Sequence, residues 1–137
     1  MLRSDGNFYA FTLTWDGVLW YAGFGPNANW IQANPHFPGA MPIRDMTAWT
    51  IDSRNSGAVV IDKNGDLWHC GFPGGWVQDI QRPNFDFKLF IGTGSDQNSD
   101  NPGNYILARD TADKTYIIGN PTGGGTWVPI PSLDGRD

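Results

Sequence analysis

Short apolar runs alternate with tight polar turns along the chain, and this pattern occurs three times. Each copy begins with an apolar run, namely YAFTLT, GAVVID and NYILAR. A turn follows it (WDGV, KNGD or TADK), and a second run comes after the turn (LWYAGF, LWHCGF or TYIIGN). Runs of this length that are joined by Asp-Gly or Asn-Gly are typical of β-hairpins. The pattern therefore predicts three successive hairpins.

Three sets of residues recur at one constant spacing, which is the signature of an internal repeat. The sets are Gly17, Gly65 and Asp113 in the turns, Trp20, Trp68 and Tyr116 just after them, and Gly23, Gly71 and Gly119 where the second runs end. We call the spacing from Gly17 to Gly65 the repeat interval. Asp113 replaces the turn glycine in the third copy, and aspartate tolerates a positive φ better than most residues. We therefore interpret the chain as three tandem copies of one β unit.

Further strands flank the hairpins. A Gly- and Pro-rich loop leads in each copy to a third strand, WIQAN, WVQDI or WVPIP, and a fourth strand precedes the hairpin in copies two (MTAWTID) and three (FKLFIG). In the first copy we expect no such strand before the hairpin, because the chain begins too soon for it. The segment FPGAMPIRDM has too many prolines for a long helix. We predict a single all-β domain, 1–137, with four-stranded repeats at 6–43 (incomplete), 44–84 and 85–133, and a tail at 134–137.

Two motifs carry a resemblance to known families. The segment AVVIDKNGDLWHCGF resembles the strand-turn-strand of propellers of the regulator-of-chromosome-condensation type, and GGWVQDI and GTWVPIP resemble the tectonin and tachylectin-type lectin repeat. The resemblance implies a β-propeller in which each repeat is one blade. Propellers have about four to eight blades, so three would be completed by oligomerisation or by a larger ring. A β-trefoil, which closes with three repeats alone, is the alternative fold.

Composition and charge narrow the classes of partner. The chain of 137 residues has a formal charge of −5, and its nine Lys and Arg form no basic run, so a nucleic-acid partner is not expected. The N-terminus has no apolar signal segment, and no apolar run approaches the roughly 20 residues that span a bilayer. We therefore expect a soluble protein made in the cytoplasm without membrane insertion, with release or incorporation into a particle left open.

Side chains that perform catalysis or bind metals are scarce. His69 and the single cysteine, Cys70, are neighbours on a predicted strand, so their side chains point to opposite faces and disfavour a Cys-His nucleophile pair. The hairpin turn accounts for the polar residues of DKNGD without a cation. The loop SDQNSDNPGN is richer in oxygen ligands and stays an alternative calcium site. We expect no enzymatic activity, no cofactor and no metal.

Aromatic residues that follow polar loops are the candidates for ligand binding. An aromatic ring stacks on the apolar face of a sugar while nearby amides bond its hydroxyl groups. The candidate residues are Asn29, Trp30, Gln32, Trp76, Gln78 and Trp127. We expect a lectin-like module with one weak glycan site per repeat, and a degenerate third site because Pro129 replaces the glutamine. Packing between repeats is the alternative role for these tryptophans.

Other function classes stay open. Aromatic faces that need neighbours also fit a structural or adhesive component of a large assembly, such as a phage tail, fibre or capsid decoration protein. An intracellular scaffold for protein partners is a further alternative. Trp15 lies at a turn, where packing is not required, and is a candidate for an exposed contact.

Overall fold

The computed structural model describes residues 9–23, 29–32, 36–50, 56–71, 75–95 and 104–135. These ranges contain ten strands: β1 (Tyr9–Leu13), β2 (Leu19–Gly23), β3 (Ile31–Gln32), β4 (Asp45–Thr50), β5 (Ser56–Ile61), β6 (Leu67–Gly71), β7 (Phe87–Ser95), β8 (Asn104–Asp110), β9 (Thr115–Gly119) and β10 (Trp127–Pro129). Helical structure in these ranges is limited to two 3₁₀ turns, Pro121–Gly123 and Pro131–Leu133. The all-β prediction is confirmed, and no described helix is long and apolar enough to cross a membrane.

The strands form three separate antiparallel sheets, each in chain order. Sheet 1 contains β1–β3, sheet 2 contains β4–β6 and sheet 3 contains β7–β10. The predicted last strand of the second repeat, WVQDI, is reduced to one backbone bridge between His69 and Val77. The glycine-rich segment before Trp127, predicted as a plain strand connection, contains the first 3₁₀ turn. The described strands form no closed barrel.

The three hairpin turns share one backbone conformation. Gly17 and Gly65 have φ angles of 84° and 88°, and Asp113 has a φ of 63°. One left-handed residue after a tight turn is typical of a three-residue hairpin loop, and the backbone N–H of Asp62 donates to the carbonyl of Asp66 across that loop at 2.9 Å. The equivalence predicted from the repeat interval therefore extends to the backbone.

A side-chain oxygen closes each of these turns. Oδ1 of Asp62 accepts hydrogen bonds from the backbone N–H groups of Asn64 (2.9 Å) and Asp66 (3.0 Å). Asp110 makes the corresponding two bonds in the third repeat. In the first repeat the hydroxyl of Thr14 accepts the N–H four residues later at 3.1 Å. Residues 14, 62 and 110 are again separated by the repeat interval.

Strand β5 of sheet 2 is buried on both faces. Ala58 joins Leu19 and Cys70 in one apolar cluster, to which the apolar residues of sheet 1 contribute. Val59 and Ile61 belong to a second cluster, which contains the residues of sheet 3. Neighbouring side chains on a strand point to opposite faces. Sheet 2 therefore lies between sheets 1 and 3.

We call the face that carries Ala58 and its equivalents the leading face of a sheet, and the face that carries Val59 and its equivalents the trailing face. The trailing face of sheet 2 packs against the leading face of sheet 3, which carries Ile106. The backbone N–H of Phe90 also donates to the Asp45 carboxylate of sheet 2 at 2.7 Å. Trailing-on-leading packing thus occurs twice in the chain.

Candidate functional site

The connection after sheet 1 supplies an aromatic contact to sheet 2. Phe37 is 6% exposed, and its ring centroid lies 5.6 Å from that of Trp68 and 4.9 Å from that of Trp76, both edge to face. Such pairs contribute about 0.5–1.5 kcal/mol beyond the buried area. Trp76 is therefore half-buried between sheets 1 and 2, and one side of its ring is occupied by Phe37.

The connection after sheet 2 makes the corresponding contact with sheet 3. Phe85 stacks on Tyr116 with centroids 3.9 Å apart and an interplanar angle of 4°, and meets Trp127 edge-on at 5.3 Å. Phe37 and Phe85 are separated by the repeat interval, so this pair belongs to the repeat as well. The repeat therefore includes an inter-sheet aromatic contact, and neither Phe37 nor Phe85 was among the residues predicted to form a site.

Trp127 is a core residue. Its side chain is 4% exposed, and its Nε1–H donates to the carbonyl oxygen of Gln81 at 2.9 Å. The backbone N–H of Trp127 donates to the side-chain oxygen of Gln81 at 3.1 Å. A buried indole presents no ring face to a ligand, so the packing alternative holds at this position.

Trp76 is intermediate between core and surface. Its Nε1 atom is buried and has no hydrogen-bond partner among the residues that the structure describes. The nearby Gln78 is exposed. Trp76 joins the cluster between sheets 1 and 2, so most of the contacts of its ring are with protein.

Trp30 is the accessible member of the three predicted tryptophans. It is 52% exposed, and Asn29 and Gln32 are exposed beside it. Gln32 lies opposite Trp20 in the register between β2 and β3. The outer strand of sheet 1 therefore presents one accessible indole with two amide side chains close to it in the chain.

Trp15 is a second accessible indole, outside the repeated positions. It lies in the first hairpin turn and is 83% exposed. A hollow of about 110 Å³ beside it is lined by Leu13, Met41, Pro42 and Ile43 as well as by Trp15 itself. The turn position was the sequence signal for this exposure. The apolar hollow could not be foreseen, because it depends on the segment 41–43, which is distant from the turn in the chain.

A larger hollow, of about 370 Å³, lies between sheets 2 and 3. Arg44 and Arg82 line it together with residues 83–87. Nη1 of Arg82 pairs with Asp66 at 3.1 Å, and Nε of Arg44 donates to the carbonyl of Lys63 at 3.3 Å. Both guanidinium groups are therefore engaged in holding the second hairpin turn.

His69 and Cys70 lie on opposite faces of sheet 2. Nε2 of His69 is 2.6 Å from Oδ1 of Asp79, and its ring packs edge-on against Trp49 at 5.1 Å. Cys70 is buried in the other cluster, where desolvation raises the pKa of its thiol to about 12. The two side chains therefore do not form a nucleophile pair.

The polar residues of DKNGD serve the turn. The Asp62 carboxylate also accepts hydrogen bonds from the backbone N–H of Ala40 (3.3 Å) and from Nε1 of Trp68 (3.0 Å). Among the described residues, no group of three or more His, Cys, Asp or Glu side chains is placed to hold a metal ion. The alternative calcium loop spans residues 95–104, of which 96–103 lie outside the described ranges.

No family model matches the chain, and neither does any curated protein or solved structure. The resemblance to propeller and lectin repeats therefore stays a prediction from the motifs.

Proposed function

We propose that the chain is a non-enzymatic, lectin-like binding module that contacts glycans through aromatic side chains of its first repeat. The observation that carries this proposal is the distribution of its seven tryptophans. The two exposed ones, Trp15 at 83% and Trp30 at 52%, both belong to the first repeat. Burial of a large apolar side chain contributes about 1.5–3 kcal/mol, so these two indoles forgo stabilisation that the others obtain.

The surroundings of the two indoles suit a sugar. Trp15 stands beside an apolar hollow, which fits the C–H face of a pyranose ring. Asn29 and Gln32, near Trp30, offer amide donors and acceptors for hydroxyl groups. A sugar ring has an apolar face, which stacks on an indole, and a polar edge, which forms hydrogen bonds with amide groups.

A propeller-type arrangement is the fold that we propose for the assembled protein. It is supported by three separate meander sheets in chain order and by the trailing-on-leading packing between them. A β-trefoil would instead join its strands in one closed barrel with a hairpin cap.

The second candidate function is that of a structural or adhesive component of a large assembly, such as a phage tail, fibre or capsid decoration protein. It is favoured by the trailing face of sheet 3, on which Leu89 and Tyr105 are 36% and 37% exposed. Apolar side chains gathered on one sheet face are typical of a surface that meets another protein.

A glycan array with the purified chain tests the first proposal, followed by affinity measurements on Trp15→Ala and Trp30→Ala. Loss of one stacking ring should weaken binding about twofold to tenfold. Val128→Ala is a matched control, because Val128 is 47% exposed on an outer strand and carries no ring. An array without any bound glycan, or unchanged affinity in both tryptophan variants, would contradict the proposal.

A further inference from the structure

The series of connector residues that begins with Phe37 and Phe85 has a third member. The motif Pro-x-Phe or Pro-x-Leu recurs at the repeat interval, at 35–37, 83–85 and 131–133. Phe37 follows sheet 1 and packs on sheet 2, and Phe85 follows sheet 2 and packs on sheet 3. Leu133 follows sheet 3 and is 38% exposed. Each earlier member packs on the sheet that follows it in the chain, so Leu133 is placed to pack on a further sheet after sheet 3.

Sheet 1 presents the rings that such a residue would meet. The pairs that receive the connector residues are Trp68 with Trp76 and Tyr116 with Trp127, and their equivalents in the first repeat are Trp20 and Trp30. Trp127 is 4% exposed, whereas Trp30 is 52% exposed and Trp20 is half-buried. Neither Trp20 nor Trp30 has a ring contact with another described residue. The first repeat therefore carries a receiving pair that stays accessible.

The leading face of sheet 1 shows the same contrast. Val60 and Ala108 lie at equivalent positions on the leading faces of sheets 2 and 3, and both are 0% exposed. Thr12 occupies that position in sheet 1 and is exposed. Sheets 2 and 3 each have another sheet packed on the leading face, whereas no described sheet precedes sheet 1.

The trailing face of sheet 3 is the complementary surface. In sheet 2, Trp49 lies opposite Gly57 across the ladder and is 2% exposed, because sheet 3 covers it. In sheet 3 the glycine is on the first strand and the aromatic residue is on the second, the reverse of sheet 2. Tyr105 of β8 lies over Gly94 of β7. Tyr105 is 37% exposed. This face keeps the aromatic character of a trailing face, and no sheet among the described residues packs against it.

We propose that a second copy of this chain packs head to tail on the first. The trailing face of sheet 3 and Leu133 of one copy meet the leading face of sheet 1, with Trp20 and Trp30, of the other. This junction repeats the arrangement that joins sheets 1 and 2 and sheets 2 and 3 within one chain. A head-to-tail contact closes into a ring when its rotation allows. Two copies with three sheets each give six sheets, within the range of about four to eight that closed propellers use.

This proposal does not rest on glycan binding. Trp15 corresponds to Lys63 and Thr111 in the other repeats, and both of these stay exposed although their sheets have neighbours. Trp15 therefore lies outside the junction, whereas Trp30 lies within it. In the two-chain form the glycan contact is carried by Trp15, and Trp30 is available to a glycan only in a single chain such as the Thr12→Arg variant. Trp15→Ala should change glycan affinity without a change in molecular mass, so that the two proposals can fail separately.

The test is the mass of the full chain in solution, by light scattering or sedimentation velocity. We expect twice the chain mass of 15.1 kDa. Thr12→Arg on the leading face and Leu133→Asp in the exposed turn should each return the mass to that of one chain. Leu89→Glu is a second trailing-face variant, and the circular dichroism spectrum checks that each variant is folded.

Val128→Glu is the matched control. Val128 lies in sheet 3 and is 47% exposed, and its equivalents Ile31 and Val77 are 51% and 44% exposed. Val77 keeps this exposure although sheet 3 packs on its sheet, so position 128 should lie outside the junction. The control should therefore keep the mass of two chains.

A mixing experiment identifies which faces meet. The Thr12→Arg chain keeps its trailing face and the Leu133→Asp chain keeps its leading face, so an equimolar mixture should recover pairs that neither variant forms alone. A wild-type mass of one chain, an open-ended series of masses, a two-chain mass for Thr12→Arg or a mixture without pairs would each overturn the proposal.

Discussion

The indole Nε1 of Trp68 donates a hydrogen bond to the carboxylate of Asp62 at 3.0 Å. The hydroxyl of Tyr116 makes the equivalent bond to Asp110 at 3.1 Å, one repeat interval further along the chain. In both repeats the aspartate carboxylate closes the hairpin turn. The aromatic residue that donates to it also contacts the phenylalanine of the preceding connection, Phe37 or Phe85. Turn and inter-sheet contact are therefore linked through one carboxylate.

Acid should destabilise the protein through these two carboxylates. Burial acts to raise the pKa of Asp62, but hydrogen bonds from Trp68 and three backbone N–H groups outweigh it, so the pKa lies below its usual value. The pKa of Asp110 is lowered in the same way. A lowered folded-state pKa gives stability that is present above the unfolded-state value of about 3.9 and is lost as pH falls through the folded-state pKa. The Tm should therefore stay level near neutral pH and fall below about pH 4.

Asp62→Asn is the variant that isolates this effect. Hydrogen bonds to a charged group contribute about 1.5–3 kcal/mol, so the variant should unfold at a lower temperature at neutral pH. Its Tm should also fall less steeply in acid, because one titrating group is gone. If the Tm of wild type and variant falls equally with pH in acid, groups other than Asp62 cause the acid sensitivity.

Gly65→Val should destabilise the second hairpin. Gly65 has a φ of 88°, and a left-handed conformation costs a residue with a Cβ roughly 1–2 kcal/mol, with more for a β-branched one. A drop of several degrees in Tm is expected. Asp113→Gly is the opposite change at the equivalent site, where φ is 63°, and should leave the Tm level or raise it. An unchanged Tm for Gly65→Val would contradict the assigned turn.

Trp127→Ala and Trp30→Ala should differ sharply in their effect on unfolding. Truncation of a buried tryptophan costs about 3–5 kcal/mol, whereas a change at an exposed position costs about 0.5 kcal/mol or less. Urea unfolding in the Thr12→Arg background compares them without any contribution from the proposed junction. Equal losses would contradict the different burial of the two indoles.

Cys70 should be unreactive in the native protein. Its side chain is 1% exposed and the pKa of its thiol is raised to about 12, so almost no thiolate is present at mildly alkaline pH. A chromogenic disulfide reagent should label it only after denaturant is added. Rapid labelling of one thiol per native chain would show that sheets 1 and 2 separate readily.

The hairpins could be predicted from the sequence because their signals are local. A left-handed residue must stand at each turn, and Gly17, Gly65 and Asp113 supply it within a few residues of the strands that they join. Strand length was less predictable. Ile31 and Val77 follow equivalent tryptophans, yet the first lies in a short strand and the second makes a single bridge.

The different environments of the three candidate tryptophans could not be predicted, because burial depends on neighbouring sheets. Trp30 and Trp127 stand at equivalent points, but the second is covered by Phe85 and by Gln81 from the preceding repeat. The recurrence of Phe37 as Phe85 at the repeat interval was the available signal for this contact. The sequence shows which residues are equivalent, and only the packing shows which of them are covered.

Strand β5 is buried on both faces, and this determines which repeats of the chain tolerate substitutions. A Cβ at Gly57 would come within 1.7 Å of the carbonyl oxygen of Cys70, and residues 58–61 are fully enclosed. The central repeat therefore offers little room for new side chains, and the outer two can diverge. It is also the repeat with both contact surfaces already matched to a neighbour, so a longer protein of this type would best be engineered by multiplying the middle copy.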